Sequence, residues 1–66
     1  MKNFITEKRK ALGMTQRDLA SLLGVHYQVL QRWESGERNP TVDIAIQLSR
    51  ILHVTVEELF VLDDAV

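Results

Sequence analysis

Four large hydrogen-bonding side chains share one face of a predicted helix in the segment GVHYQVLQRWESG, residues 24–36. Gln28 and Arg32 are four residues apart, as are Tyr27 and Gln31, so each pair lies one helical turn apart. A solvated helix face usually carries Lys, Glu and Ala, which favour helices. Gln can instead bond adenine through both amide groups, Arg can bond guanine O6 and N7, and an aromatic ring can pack on a thymine methyl. This face therefore has the chemistry needed to read base edges, with Gln31 the least distinctive of the four.

The opposite face of the same segment is apolar. At about 100° per residue, the apolar side chains fall within an arc of roughly 140°, and they are Val25, Val29, Leu30 and Trp33. Trp33 is therefore expected in the core rather than stacked on a base.

Helix signals and breakers alternate along the chain and predict the elements that position this face. A first helix is expected over about 3–12. A second, over about 16–23, begins with a T-x-x-D capping box at Thr15 and ends at Gly24, which permits a left-handed backbone.

The remaining signals predict three further helices. The third, over about 26–35, ends at Gly36, and Thr41 is expected to cap the fourth. Core spacing in the fourth helix is expected for Val42, Ile44, Ala45, Leu48, Ile51 and Leu52. A T-x-x-E box at Thr55 begins a short fifth helix. Because no useful stretch alternates with period two, we expect an all-α, compact five-helix bundle forming one domain over 1–66.

The spacing between the second and third helices is more specific than either helix alone. Two helices that cross at about 90–120° need a small residue at their close approach and a glycine at the turn. Ala20 and Gly24 meet these needs, and inward-facing apolar residues surround them. The segment therefore predicts a helix-turn-helix.

At these positions the chain resembles the helix-turn-helix family of phage repressors and Cro proteins, the XRE family. The matching elements are Arg9, T-Q-R-D-L-A at 15–20, G-V at 24–25, W-E-S-G at 33–36, R-N-P at 38–40 and V-T-V-E-E-L-F at 54–60. The resemblance implies a lambda-repressor-like DNA-binding domain whose third helix enters the major groove of double-stranded DNA, as a homodimer on a pseudo-palindromic operator. It also implies a transcriptional regulator, expected to be a repressor, in the cytoplasm of a bacterium or encoded by a phage.

The same resemblance implies roles for individual residues. Arg9 and Glu34 correspond to a structural ion pair between helices, and Gln16 to a phosphate clamp at a helix N-terminus. The expected phosphate-binding residues are Gln16, Arg17, His26, Arg38 and Asn39. Three positions depart from the family pattern. Lys8 stands where related sequences often carry an apolar residue. His26 replaces a Ser or Thr, is a poorer helix cap and could contact a phosphate instead, and Glu37 stands where a basic residue is common.

Composition limits the alternatives. The net charge is −1, but residues 1–38 hold seven Lys or Arg and four acids, whereas residues 39–66 hold one Arg and five acids. This polarity allows a positive face on a nearly neutral molecule. The chain has no cysteine, and it has neither an apolar run long enough to span a bilayer nor a signal peptide pattern, so we expect a soluble protein without membrane contact.

An enzyme or a metalloprotein is not expected. The serines lack a nearby activating base, a nucleotide-binding glycine loop is missing, and His26 and His53 are too far apart in sequence to suggest a metal site. We therefore expect no cofactor and no small-molecule ligand.

The small size of the chain favours association with a second copy. An apolar C-terminal edge could form the dimer contact, and it comprises Phe60, Val61, Leu62 and Val66. Phe60 and Leu62 could equally close the core. A second functional hypothesis is a protein-interaction module on the same scaffold, such as an antitoxin that neutralises a partner and binds DNA secondarily. The acidic C-terminal half of the chain favours it.

Overall fold

Five helices and two very short strands make up residues 1–62, the part of the chain that the computed structural model describes. In chain order they are β1 Lys2–Asn3, α1 Ile5–Ala11, α2 Gln16–Leu23, α3 Tyr27–Glu34, α4 Val42–Leu52, α5 Val56–Leu59 and β2 Phe60–Val61. The predicted five-helix bundle is confirmed, and α2 occupies the predicted residues. His26 and Ser35, at the ends of the predicted third helix, are the caps of α3.

The two strands were not expected from the sequence. Strand β1 pairs with β2 in antiparallel register, Lys2 opposite Val61 and Asn3 opposite Phe60. The amide of Phe4 then donates to the carbonyl of Leu59 at 2.9 Å. A two-residue strand contains one alternation at most, so hydrophobic periodicity cannot reveal it. The ribbon ties the N-terminus of the chain to the end of α5.

Capping boxes begin α2 and α5, as the sequence predicts. At α2 the Thr15 hydroxyl accepts the Asp18 amide at 3.0 Å, and the Asp18 carboxylate accepts the Thr15 amide at 2.9 Å. These hydrogen bonds, that of the Thr15 amide foremost, lower the pKa of Asp18. Thr41 behaves differently, because its hydroxyl donates to the Asp43 carboxylate and accepts no helix amide.

The core lies between α2, α3 and α4, with contributions from α1 and α5. Its buried apolar residues are Ile5, Leu19, Ala20, Leu23, Leu30, Trp33, Leu48, Leu52 and Leu59. Trp33 is in this core, as its place on the apolar face predicts. None of the helices in residues 1–62 is both long and apolar enough to cross a membrane.

One expected core residue of α4 is exposed. Val42 is 77% exposed, whereas Leu48 is fully buried and Ile44 is half-buried. At about 100° per residue, Val42 lies about 120° around the helix from Leu48 and so falls outside the buried stripe. The prediction that Val42 faces the core was wrong, and its side chain extends the apolar surface of the protein.

Helix α4 ends at a non-glycine residue in a left-handed conformation. His53, its C-cap, has φ 59° and ψ 40°. This conformation brings the β-carbon of an L-residue close to backbone oxygen, which is why glycine is preferred at such positions. The sequence shows no sign of it, because no glycine or asparagine marks the end of α4.

We expect His53→Gly to stabilise the protein by about 0.5–1 kcal/mol, since it relieves this strain and glycine's greater freedom in the unfolded chain offsets part of the gain. Urea unfolding at neutral pH measures the change. Gly24→Ala is the matched control, because Gly24 has φ 72° and an added β-carbon there meets no atom within 4 Å. The control should lose stability through backbone strain alone. A loss in both variants would contradict the interpretation of His53.

Candidate nucleic-acid interface

The turn between α2 and α3 sets the angle at which α3 is presented. Gly24 adopts φ 72°, and its amide donates to the Ser21 carbonyl at 3.2 Å. The amide of Val25 donates to the Ala20 carbonyl at 3.0 Å. Ala20 is buried at the packing face of α2, and Leu30 of α3 is fully buried. The predicted helix-turn-helix is thus present, with the small residue buried and the glycine at the turn.

Three of the four candidate base readers lie together on the exposed face of α3. Gln28, Gln31 and Arg32 are all exposed, and they line one shallow cleft with Ser35 and Glu37. A neighbouring cleft of about 600 Å³ is lined by Arg32, Glu37, Arg38 and Asn39. Arg32 and Glu37 therefore belong to both clefts, and the loop after α3 continues the polar surface of the helix.

Tyr27, the fourth candidate, is half-buried at the first residue of α3 and makes intramolecular ring contacts. The Arg17 guanidinium lies 4.1 Å from the centroid of its ring, and the His26 ring stacks on it at 4.8 Å. A guanidinium at this distance from an aromatic face is attracted by the ring quadrupole. Tyr27 thus holds Arg17 beside the N-terminal end of α3. The sequence predicted Tyr27 as a base reader and did not predict this contact.

His26 caps α3 with its ring. Its Nδ1 accepts the amide hydrogen of Gln28 at 3.2 Å. A ring nitrogen that accepts a hydrogen bond cannot donate one, so in this arrangement Nε2 is the donor of the ring. His26 therefore fills the capping position usually occupied by Ser or Thr, and Nε2–H is the donor that it can offer to a phosphate.

Gln16 connects the surface of α3 to the protein interior. Its Nε2 donates to Glu34 Oε1 at 3.0 Å, and its Oε1 accepts from Gln31 Nε2 at 3.1 Å. A primary amide has two N–H groups, so the second can still reach a phosphate. The side chain of Gln31, a candidate base reader, is oriented through this contact.

The Arg9 and Glu34 side chains form a nearly buried ion pair between α1 and α3. Arg9 Nε lies 2.9 Å from Glu34 Oε2, and the two side chains are 8% and 6% exposed. Arg9 also donates to Glu34 Oε1 and to the Met14 carbonyl, and the Thr6 hydroxyl donates to Glu34 Oε1 at 2.8 Å. Every nitrogen of the guanidinium thus has a partner, which is what a buried charge requires.

The pKa of Glu34 reflects a competition. Burial raises it, but hydrogen bonds from Arg9, Gln16 and Thr6, together with the Arg9 charge, outweigh burial and hold it below the usual value of a glutamate. The carboxylate therefore stays ionised and keeps α1, α2 and α3 connected through one group.

Sequence reasoning did not identify two side chains that support this surface, Thr6 and Asn3, and it did not predict the pairing of Glu37 with Arg32. Thr6 precedes Arg9 by three residues, a helical spacing that places both on one side of α1 and could have suggested a shared partner. Asn3 donates to the Trp33 carbonyl at 2.8 Å across thirty residues of sequence. Glu37 lies 3.6 Å from Arg32 Nε, although a five-residue separation is not a helical pairing. The turn at Gly36, with φ 82°, brings Glu37 back towards α3.

An apolar surface lies at the C-terminal end of the described chain. We define the C-terminal apolar surface as Val42, Val56, Phe60, Val61 and Leu62. Val42, Val56 and Phe60 line one cleft of about 170 Å³, and the two residues that follow Phe60 are 42% and 74% exposed. Phe60 is half-buried and packs against the core, and it also lines this cleft at the surface. Val66, also expected at this edge, lies outside the described residues.

Among the residues that the structure describes, no three His, Asp or Glu side chains are placed to hold a metal ion together.

Comparison with known proteins places these features in a family. A helix-turn-helix family matches residues 5–59. An uncharacterized HTH-type transcriptional regulator of Archaeoglobus fulgidus is 36% identical over 64 residues, which cover 97% of this chain and 91% of that protein. One from Methanothermobacter thermautotrophicus is 37% identical over 65 residues, covering 97% and 94%. The cryptic phage CTXphi transcriptional repressor RstR of Vibrio cholerae is 29% identical over 59 residues, covering 89% of this chain and 53% of the repressor. The chain therefore belongs to the XRE-type helix-turn-helix family of DNA-binding transcriptional regulators.

Proposed function

We propose that this protein is a repressor that binds a pseudo-palindromic operator as a homodimer, with α3 in the major groove. The observation that carries the proposal is the division of α3 into two faces. Gln28, Gln31 and Arg32 are exposed together on one face, while Leu30 and Trp33 are buried on the other. These three exposed side chains have the donors and acceptors that base edges in the major groove require.

Candidate phosphate contacts flank both ends of this helix. Arg17 and His26 lie beside the N-terminal end of α3, and Arg38 and Asn39 lie beside its C-terminal end. Eight helical residues span about 12 Å, which is close to the width of the major groove. Groups at the two ends can therefore reach phosphates on both sides of the groove, where they would fix the register of the helix.

A dimer is part of the proposal because one α3 is too short to read an operator. Two copies that place their reading helices about 34 Å apart would contact two half-sites on the same side of the duplex. The C-terminal apolar surface is a suitable contact, because it exposes Leu62 and Val42 at 74% and 77%. Burying this surface against a second copy would remove apolar area from water.

Leu62→Asp tests this contact. We expect the variant to keep the fold, because Leu62 is 74% exposed, and to weaken the dimer by roughly tenfold or more through a charge buried without a partner. Sedimentation equilibrium measures the dimer dissociation constant. Leu22→Asp is the matched control, since Leu22 is 60% exposed on α2, and it should leave dimerisation unchanged. A variant as dimeric as the wild type would remove Leu62 from the interface.

Repression by occupancy is the simplest action for a domain of this size. The relative RstR is named a transcriptional repressor, and this chain aligns with it over residues that include most of the domain. We place the protein in the cytoplasm, where it would occupy an operator on a chromosome or phage genome.

Enrichment of randomised DNA duplexes on the purified protein tests the function directly. At physiological salt we expect a two-fold symmetric sequence whose half-sites are about one helical turn apart. If no sequence is enriched above non-specific binding, the polar face of α3 serves a protein partner or requires one, and the antitoxin-like hypothesis takes precedence. Co-purification with a second polypeptide would favour the same conclusion.

A further inference from the structure

We propose that Glu37 is a specificity-determining residue, which acts by positioning Arg32 for a base and disfavouring its use on phosphate. The inference rests on the proposed function, in which α3 reads bases in the major groove. The Glu37 carboxylate lies 3.6 Å from Arg32 Nε, on the polar surface that α3 would present to DNA.

The backbone after α3 holds Glu37 in this place. The Ser35 hydroxyl donates to the Arg32 carbonyl at 3.1 Å and accepts the Glu37 amide at 3.3 Å. The Arg38 amide also donates to the Arg32 carbonyl, at 3.2 Å. With Gly36 at φ 82°, these bonds fold the loop back over the last turn of α3. The turn therefore places the backbone of Glu37 beside the last turn of α3, within reach of the Arg32 side chain.

The atoms in contact suit recognition of guanine. A guanidinium has five N–H donors, and the closest approach of Glu37 is to Nε. Binding of O6 and N7 of guanine needs two of these donors, and the two Nη groups can supply them while Nε faces Glu37. Arg32 can thus keep its contact with Glu37 while it binds a base, and the carboxylate orients the group for that contact.

A phosphate meets a different environment at the same place. Arginine binds DNA phosphates whatever the base sequence, and such contacts supply the non-specific part of DNA affinity. A phosphate that approaches Arg32 also approaches the negative charge of Glu37, because both side chains line the same two clefts. Like-charge repulsion therefore weakens this contact and leaves the contact with an uncharged base edge less affected. The result is a higher ratio of specific to non-specific binding.

Glu37→Gln tests the proposal, because it removes the charge with little change in shape. Glu37 is 65% exposed in its side chain, so the variant should fold as the wild type does. We expect it to bind random duplex DNA roughly threefold more tightly and to lose preference at the base pair that Arg32→Ala also affects. Glu57→Gln, on α5, makes the same change of net charge and should alter neither property.

The results of these experiments distinguish a wrong role for Glu37 from a failure of sequence-specific DNA binding itself. If the wild type enriches an operator and Glu37→Gln enriches the same one with every preference intact, the role of Glu37 is wrong while sequence-specific binding stands. An equal gain of random-DNA affinity in Glu37→Gln and Glu57→Gln also contradicts it, since net charge alone then explains the gain. If the wild type enriches no sequence, both proposals fail.

In an Arg32→Ala background, Glu37→Gln should cause no further loss of preference, and an undiminished loss would mean that Glu37 acts independently of Arg32.

Discussion

Arg9→Ala will lower the free energy of unfolding of this protein by about 3–5 kcal/mol, which is a large share of the total. The substitution strands the Glu34 carboxylate, which is 6% exposed, without its cationic partner. Breaking a buried ion pair from one side costs this much because the remaining charge stays desolvated. A chain of 66 residues has only about 3–10 kcal/mol to lose. Urea unfolding followed by the fluorescence of Trp33, which is buried in the core, measures the loss.

The double variant Arg9→Met/Glu34→Leu is the control that separates the effect of charge pairing from the effect of side-chain packing. It replaces both charges by apolar side chains of similar length, so neither partner is left buried alone. Such replacements are often neutral or stabilising, although the Thr6 hydroxyl and the Gln16 amide then lose their acceptor. We expect stability much closer to the wild type than that of Arg9→Ala. If the double variant is as unstable as the single one, the side-chain shapes at these positions, and not the charges, hold the helices together.

Acid should weaken the wild type through the same pair. Burial raises the pKa of Glu34, but its hydrogen bonds and the Arg9 charge outweigh burial and lower the pKa below that of an unfolded chain. Its contribution to stability is complete above the unfolded pKa and is lost as pH falls through the folded pKa. Asp18 and Glu58 also have lowered pKa values, so they add to the acid sensitivity of the wild type and of the double variant alike. The difference in urea midpoint between the wild type and the double variant should therefore shift in favour of the double variant below about pH 4.5.

The fold could be predicted from the sequence wherever local chemistry determines it. The helix-turn-helix is predicted by short-range signals, which are the capping boxes, the glycine turn and the helical spacing of apolar residues. Each of these signals lies within or next to the helix that it predicts. The strands β1 and β2 and the hydrogen bond from Asn3 to Trp33 depend on contacts between distant parts of the chain. Periodicity over a few residues carries no information about such contacts.

The candidate site shows the same division. Gln28, Gln31 and Arg32 were predicted on one face of a helix, and periodicity is sufficient to place them there. Their contacts were not predictable, because the Arg32 pair with Glu37 depends on the turn at Gly36 and the bond from Gln31 to Gln16 depends on how α2 and α3 cross. Periodicity assigns residues to a face, while the tertiary structure decides which side chains touch on that face.

Arg32→Ala and Arg17→Ala will lower operator affinity in different ways if α3 reads the major groove. A good bidentate base contact contributes about 1–3 kcal/mol of discrimination, so Arg32→Ala should cost roughly 5- to 150-fold for each half-site and relax the preference at one base pair. Arg17 lies beside Tyr27 at the N-terminal end of α3 and is expected on phosphate. Its loss should weaken all sequences alike and reduce the salt slope by about one for each half-site. Fluorescence anisotropy with operator and scrambled duplexes, at several salt concentrations, measures both quantities.

The equal charge and different positions of Arg17 and Arg32 allow this comparison to separate base reading from phosphate binding. Arg17 and Arg32 carry the same charge and differ in place, one at the start of α2 beside the α3 cap and the other in the last turn of α3. A purely electrostatic interface would respond equally to either loss, because phosphate attraction depends on charge and not on sequence. Loss of discrimination in Arg32→Ala alone would therefore assign base reading to the exposed face of α3. Equal losses on operator and scrambled DNA in both variants would show that this face positions the protein on DNA without reading it.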